Sequence, residues 1–122
     1  MNAAKIDELT GAESRPVMFK LLEKLCREPA GDGRLALLLL DVDNLKLFNG
    51  HMGHVEGDKL LHRLAAQIMA LLTENDRVFR IGGDEFVMLL APGIEAEAFA
   101  FAHEVLAVAR HVAPPQPEHC GE

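Results

Sequence analysis

Asp84 and Glu85 follow a glycine pair, Gly82-Gly83, with Arg80-Ile81 before them and the apolar run Val87-Met88-Leu89-Leu90 after Phe86. Paired glycines let a hairpin backbone take positive φ and approach a ligand closely, so the carboxylates that follow can face a metal or a phosphate. Alone, the segment reads equally well as an ordinary turn, where Gly and Asp recur for conformational reasons. A second acidic cluster changes the balance: the apolar run Leu35 to Leu40 ends in Asp41-Val42-Asp43, which poises carboxylates at the exit of a strand. Carboxylates held close repel unless a proton or cation intervenes, and hard divalent ions such as Mg2+ or Mn2+ favour oxygen ligands. The chemistry implied is phosphoryl transfer assisted by such an ion.

The elements that must bring these groups together follow from periodicity. Val17, Met18, Leu21, Leu22, Leu25 and Cys26 recur at helical spacing within Glu13 to Arg27, and Pro29 ends that helix. Gly31-Asp32-Gly33 is a loop before the first strand, Leu35 to Val42, which is apolar throughout and therefore expected to be central and covered on both faces. After a loop at Asn49 to Gly53, Leu60, Leu61, Leu64, Ala65, Ile68, Met69, Leu71 and Leu72 define a second helix with Asp58 near its positive end. Arg77 to Ile81 and Glu85 to Leu90 form a hairpin, Pro92-Gly93 breaks the chain, and Ile94 to Val112 is a third helix in which Phe99 and Phe101 are expected in the core, with exposure of Phe101 and His103 the alternative. The order helix, strand, helix, strand, strand, helix predicts an α+β fold, a mainly antiparallel sheet with helices packed on one side. With Glu85 to Leu90 antiparallel beside the first strand, Asp84 falls next to Asp41.

Composition narrows the setting. The 122 residues, 49% of them apolar, suffice for one modest core, read as a domain over 1–113 followed by a disordered Pro-rich tail at 114–122. Twelve basic against nineteen acidic residues leave a net charge of −7, which argues against nucleic acid and against direct membrane contact. Cys26 and Cys120 lie far apart without metal-type spacing, and no stretch is a signal peptide or a bilayer span, so a reduced, cytoplasmic, soluble protein is expected. His51 and His54 are three apart but have no acidic or cysteine partner to complete a zinc set, and read as loop packing or as residues that support a site from behind its ligands.

The run Asp41-Val42-Asp43, Lys46, Asn49, Gly53-His54, Gly57-Asp58 and Gly82-Gly83-Asp84-Glu85-Phe86 resembles the GGDEF domain of bacterial diguanylate cyclases, and Leu9-Thr10-Gly11 with Arg15 looks like that family's N-terminal motif. The likeness spans about Asp7 to Val112. It implies a ferredoxin-like, nucleotidyl-cyclase palm and the condensation of two GTP into cyclic di-GMP with release of pyrophosphate, two subunits each holding one GTP in a signalling homodimer. By this resemblance Asp41, Asp84 and the Val42 carbonyl hold the metal ions, Glu85 assists Asp84 at the catalytic centre, Asn49 and Asp58 read the guanine edge, Lys46 contacts phosphate, and Gly82 and Gly83 let phosphates lie close. The guanine assignment is chemically sound, because an amide and a carboxylate together pair with its carbonyl and its N–H donors. Without the likeness, Asp58 reads as a helix-start residue, Asn49-Gly50 as a turn pair and Lys46 as a solvated charge.

Several positions depart from the family pattern: Leu45 replaces a phenylalanine, Gly50 an aspartate and Ser14 an asparagine. The family's product-inhibition pair, an arginine and an aspartate three apart, falls on Thr73 and Asp76, so the likeness carries no implication of feedback there. Family members continue past the third helix with a strand, a basic helix and a final strand, where this chain runs into prolines. The expectation is a palm incomplete at its C-terminal end, an open edge on the first strand, and weak or no cyclase activity unless a partner or exchanged segment supplies the rest. A degenerate domain that binds GTP or a partner without turnover is the alternative. An aspartyl-nucleophile phosphatase is disfavoured because no later lysine with paired acids follows Leu90. A calcium loop is disfavoured because Leu45 and Lys46 stand where an oxygen ligand and a glycine are needed.

Overall fold

The structure is a computed structural model that describes residues 5–27, 35–42, 45–91 and 95–112, with the backbone alone described at 46–48. Its elements are β1 (Glu13–Ser14), α1 (Arg15–Arg27), β2 (Ala36–Asp41), α2 (Leu45–Met52), α3 (His54–Leu71), β3 (Arg77–Gly82), β4 (Glu85–Leu90) and α4 (Glu95–Val112). The expected loop at Gly31 to Gly33, the Pro92-Gly93 break and the tail at 114–122 lie outside the described residues.

The sheet has the order β1-β3-β4-β2 and is mixed: β3 and β2 each run antiparallel to β4, while the two-residue β1 runs parallel to β3. Hydrophobic alternation sends the two sides of the sheet to different helices. Val78, Phe86, Met88 and Leu90 join Leu60, Leu61, Leu64, Ala65 and Ile68 of α3 and Phe101 and Val105 of α4 in the larger core. Phe79, Val87 and Leu89 face the other way, against Met18, Val17, Leu21, Leu22 and Leu25 of α1. Helices therefore cover both faces, not one as the element order suggested. Periodicity finds each apolar stripe but not the side of the sheet on which it lands.

The most apolar strand is not central. Strand β2 lies at the end of the sheet, with Ala36, Leu38 and Leu40 packed on the α3–α4 core while Leu37 and Leu39 on the opposite face are 55% and 66% exposed. Helix α1 lies against β3, Val87 and Leu89 instead of this outer strand. A continuous leucine run thus gives the composition of a doubly covered strand at a position covered on one side only, and the expected open edge is present among the described residues.

Two helices, not a loop, occupy the middle of the chain. Asn49 to Met52 are helical and belong to α2, and the break from α3 is confined to Gly53, whose φ of 92° a glycine adopts without the steric cost other residues carry. The Gly53 N–H still donates to the Asn49 carbonyl at 2.8 Å, so the chain turns sharply without losing that bond. Because α3 starts at His54, Asp58 lies beyond its first turn, where the helix dipole is already weak. Other single positions also differ from expectation. Phe101 is buried but Phe99 is 63% exposed on α4, Cys26 is exposed instead of completing the α1 stripe, and His51 and His54 are exposed at helix ends.

The two faces of β2 and β3 predict contrasting sensitivities. Phe79, with no solvent exposure, should lose about 3–5 kcal/mol on Phe79→Ala. Leu39→Ala on the bare face should stay within about 0.5 kcal/mol of the parent. Urea denaturation midpoints at equal m-value check both.

Candidate functional site

Register builds the acidic centre. In the β2–β4 ladder Leu39 pairs with Val87, Leu40 with Phe86 and Asp41 with Glu85. Residues opposite one another in an antiparallel pair share a face, so Asp41 and Glu85 project to the same side at the rim of the sheet. The ladder is extended one step by the Val42 N–H, which donates to the Asp84 carbonyl at 2.8 Å and ties the end of β2 to the glycine turn. As a result, carboxylate oxygens of Asp41, Asp84 and Glu85 all lie within 4.8 Å of one another. Asp41 lies more than forty residues before the adjacent pair Asp84 and Glu85 in sequence. Among the described residues this is the one cluster of three ligand-type side chains, and it contains neither His51 nor His54.

The turn is shaped for close approach. Neither Gly82 nor Gly83 takes the positive φ that the glycine pair suggested; a Cβ added at Gly82 would fall 2.5 Å from Glu85 Oε1, the movable end of a side chain folded back over this backbone, and Gly83 has open space around it. Between Arg80 and Gly82 the β3–β4 register shifts, a bulge that tightens the twist of the hairpin tip. The set suits a hard divalent cation: three anionic oxygens converge, and an octahedral ion with oxygens at about 2.0–2.1 Å spans about 4 Å between opposite ligands. Small side-chain rotations within the 4.8 Å cluster meet that span.

Sequence reasoning missed what holds the turn in place. Arg80 Nη2 donates to the Gly83 carbonyl at 2.8 Å, and its Nη1 donates to both carboxylate oxygens of Asp7, at 3.3 and 3.2 Å. Asp7 Oδ2 also accepts from the Thr10 N–H at 3.0 Å and the Thr10 hydroxyl at 2.7 Å. Thr10 is itself buried, and its Oγ1 accepts from the Ala12 N–H. The N-terminal segment is thereby latched to the tip of the hairpin through a half-buried guanidinium. An Asp followed three residues later by Thr is a local signal for such a turn, but nothing local couples it to an arginine 73 positions away. Arg77 makes a parallel tie, its Nε donating to Glu13 Oε2 at 2.8 Å and its Nη2 to Oε1, which pins β1 against β3.

The remaining predicted site residues lie on α2 and α3. Asn49 is half-buried on α2 with Oδ1 lacking a hydrogen-bond partner among the described residues, while Asp58 is exposed on α3. Lys46 lies on α2, its side chain outside the described residues, as is Asp43 entirely. Val42 packs its side chain against the larger core, and Leu45, standing where the family has a phenylalanine, is buried in that core. Thr73 and Asp76 bond to each other: Asp76 Oδ2 accepts from the Thr73 N–H at 2.9 Å and its hydroxyl at 2.8 Å. Asp76 Oδ1 accepts from the Ala91 N–H at 3.1 Å, bracing the α3–β3 turn against the end of β4.

The α+β domain that carries this acidic cluster has a fold already represented among known proteins. The family model described as diguanylate cyclase, GGDEF domain, matches residues 4–118, and the chain belongs to that family. The diguanylate cyclase TpbB of Pseudomonas aeruginosa is 38% identical over 104 residues, 83% of this chain and 24% of that protein. Rv1354c of Mycobacterium tuberculosis, an uncharacterised protein, is 37% identical over 92 residues, 75% of this chain. The solved GGDEF domain of TpbB superposes with a TM-score of 0.79 at 34% identity, covering 86% of this chain and 62% of that one. That of DgcB from Caulobacter crescentus, solved in complex with c-di-GMP, gives 0.78 at 27% identity, covering the same 86% and 62%. The chain spans about 15% of the length of the first curated relatives it matches. No described helix is long and apolar enough to cross a membrane.

The latch has a pH signature. For Asp7 burial pushes the carboxyl pKa up, but the bonds from Thr10 and Arg80 together with the Arg80 charge outweigh it and hold the group below its ordinary value of 3.8. Asp76 is likewise lowered from 3.8: burial raises it, and the bonds from Thr73 and Ala91 more than reverse that. A carboxyl depressed on folding binds its proton later than in the unfolded chain, so it contributes stability above about pH 4 that is lost as pH falls through the folded value. Urea unfolding between about pH 5 and pH 2.5 should show a shallower acid decline for Asp7→Asn with Asp76→Asn than for the parent.

Proposed function

We propose that this chain carries the nucleotide half-site of a diguanylate cyclase, which binds one GTP with Mg2+ or Mn2+ and, facing a second copy, condenses two GTP into cyclic di-GMP with release of pyrophosphate. The observation that carries the reading is the convergence of Asp41, Asp84 and Glu85 within 4.8 Å at the glycine turn of a chain belonging to the GGDEF family.

Asp41 and Asp84 would hold the ion with the Val42 carbonyl as a further ligand, and Glu85 would assist Asp84 at the same centre. When bound, the ion supplies positive charge to activate the attacking 3′-hydroxyl and to offset charge on the α-phosphate during in-line displacement. The task of the protein is positioning. Gly82 and Gly83 keep side chains out of the way of the phosphates, Lys46 contacts them, and the Arg80 bond to the Gly83 carbonyl holds the turn rigid while they bind. Asn49 and Asp58 read the base: an amide N–H can donate to guanine O6 while a carboxylate accepts from N1–H and the 2-amino group. Adenine presents a donor at position 6 and an acceptor at N1, the inverse pattern. Because each copy supplies one nucleotide, turnover requires a homodimer with its two rims opposed. A net charge of −7 accords with a small anionic substrate that arrives with metal ions and not with a polyanion.

The test is incubation of the chain with GTP and Mg2+, with chromatographic detection of cyclic di-GMP, beside calorimetric titration of GTP. Asp84→Ala should reduce both metal-dependent binding and product by at least the roughly 10- to 100-fold that loss of even an outer metal-site partner costs. GTP binding without product leaves the alternative, a binding module that does not turn over. Indifference to GTP and metal overturns both.

A further inference from the structure

We propose that Gly57 is a positioning residue for nucleotide selection: the side chain it lacks leaves the notch in which the Asn49 carboxamide is seated, and filling that notch turns the amide away from the base. The inference rests on the reading that Asn49 and Asp58 take the guanine.

Two neighbouring helices make the notch. Asn49 lies on α2 and Gly57 on α3, joined through the sharp turn at Gly53. A Cβ built on Gly57 would fall 1.7 Å from Asn49 Oδ1, 2.8 Å from its Cγ and 3.3 Å from Nδ2. Carbon atoms at rest are about 3.5–4.0 Å apart, so the carboxamide occupies the space of a methyl group. Three heavy atoms of the amide surround that point, and the argument holds whichever way round the amide is turned. The backbone gives no other reason for a glycine. Gly57 is buried inside a helix, and the positive-φ glycines among the described residues are Gly11 and Gly53. Glycine is the least favourable helix-interior residue apart from proline, so the position carries a cost in helix stability with no conformational need.

Asn49 has a matching peculiarity. Its Oδ1 is buried without a hydrogen-bond partner among the described residues, an arrangement native structures seldom retain without a reason. Seated over Gly57, the amide is fixed by packing, and among the described residues its N–H donors meet no protein acceptor. Asp58 follows Gly57 directly, so a single turn of α3 supports the arm that would face position 6 of the base and carries the arm that would face positions 1 and 2. An alanine at 57 must rotate the Asn49 carboxamide out of its seat. Since the nearest atoms belong to the end of a short side chain and not to backbone, the fold survives the change while base recognition does not.

The experiment compares the parent chain, Gly57→Ala, Asn49→Ala and the double variant, with Mg2+ and the α,β-methylene analogues of GTP, ITP and ATP, which cannot be attacked across the α,β-bridge. The parent is expected to prefer the guanine analogue. Gly57→Ala should weaken the guanine and inosine analogues, which share O6, by about tenfold, with the adenine analogue unchanged. Asn49→Ala should match it, and the double variant should bind no more weakly than Asn49→Ala. Thermal unfolding without ligand supplies a second readout: alanine at 57 should lower the midpoint when Asn49 is present and raise it when residue 49 is alanine. Retention of the parent's preference by Gly57→Ala, or a raised midpoint in both backgrounds, overturns the role of Gly57 while the guanine reading stands. Absence of any guanine preference in the parent chain overturns that reading and this proposal with it.

Discussion

The antiparallel register between β2 and β4 is the constraint on which the site depends. Opposed residues share a face, so the pairing that sets Leu38 and Leu40 against Met88 and Phe86 in the core also delivers Asp41 opposite Glu85 at the rim. A slip of one residue would expose the core leucines and turn Asp41 to the wrong side of the sheet. The hydrophobic effect therefore fixes the acidic geometry indirectly: the burial of Phe86 and Met88, both almost wholly inaccessible, aligns groups that repel one another and would not gather unaided. The Val42 bond to the Asp84 carbonyl carries that alignment one residue past the strand, into the turn.

Beyond packing, a charged latch ties the hairpin tip to the N-terminal segment. Arg80 spends its guanidinium on two structural partners, the Gly83 carbonyl and Asp7, and Asp7 is held in turn by Thr10. The bonds to Asp7 are partly buried and charge-assisted, a stronger class than surface ion pairs such as Arg27 with Glu23, whose side chains are 72% and 68% exposed. Gly82 and Gly83 place no side chain over the turn, neither takes positive φ, and the latch ties that turn to the N-terminal segment.

Much of this was legible in the chain. The strand-exit aspartates and the Gly-Gly-Asp-Glu turn could be brought together from the sequence because both flank long apolar runs and antiparallel pairing of such runs has few outcomes. The helical stripes of α1, α3 and α4 were visible in their periodicity. The role of β2 was not, because unbroken leucine reports hydrophobicity and not position in the sheet. Helix α2 was hidden because Asn49-Gly50 and Gly53 look like loop residues, and only Gly53 breaks the helix. Nor could local pattern reveal Arg80 with Asp7, or the fit of Asn49 over Gly57, since both join segments that become neighbours only when the chain is folded. Asp76 was visible as a position but not as the brace it is.

The bare face and unpaired outer side of β2 bear on how this protein behaves in bulk. Leu35, Leu37 and Leu39 stand exposed along a strand whose backbone bonds are taken on one side only among the described residues, and no charged or proline residue interrupts Leu35 to Leu40. Such a rim is a template for lateral growth between molecules. What opposes that growth is mutual repulsion from the net charge of −7. That guard is ionic: its reach contracts from about 10 Å in 0.1 M salt to about 3 Å in 1 M, and it vanishes near the isoelectric point of 5.3. Colloidal stability and folding stability are thus governed by different parts of this molecule, the first by its surface charge and the second by the two cores beneath.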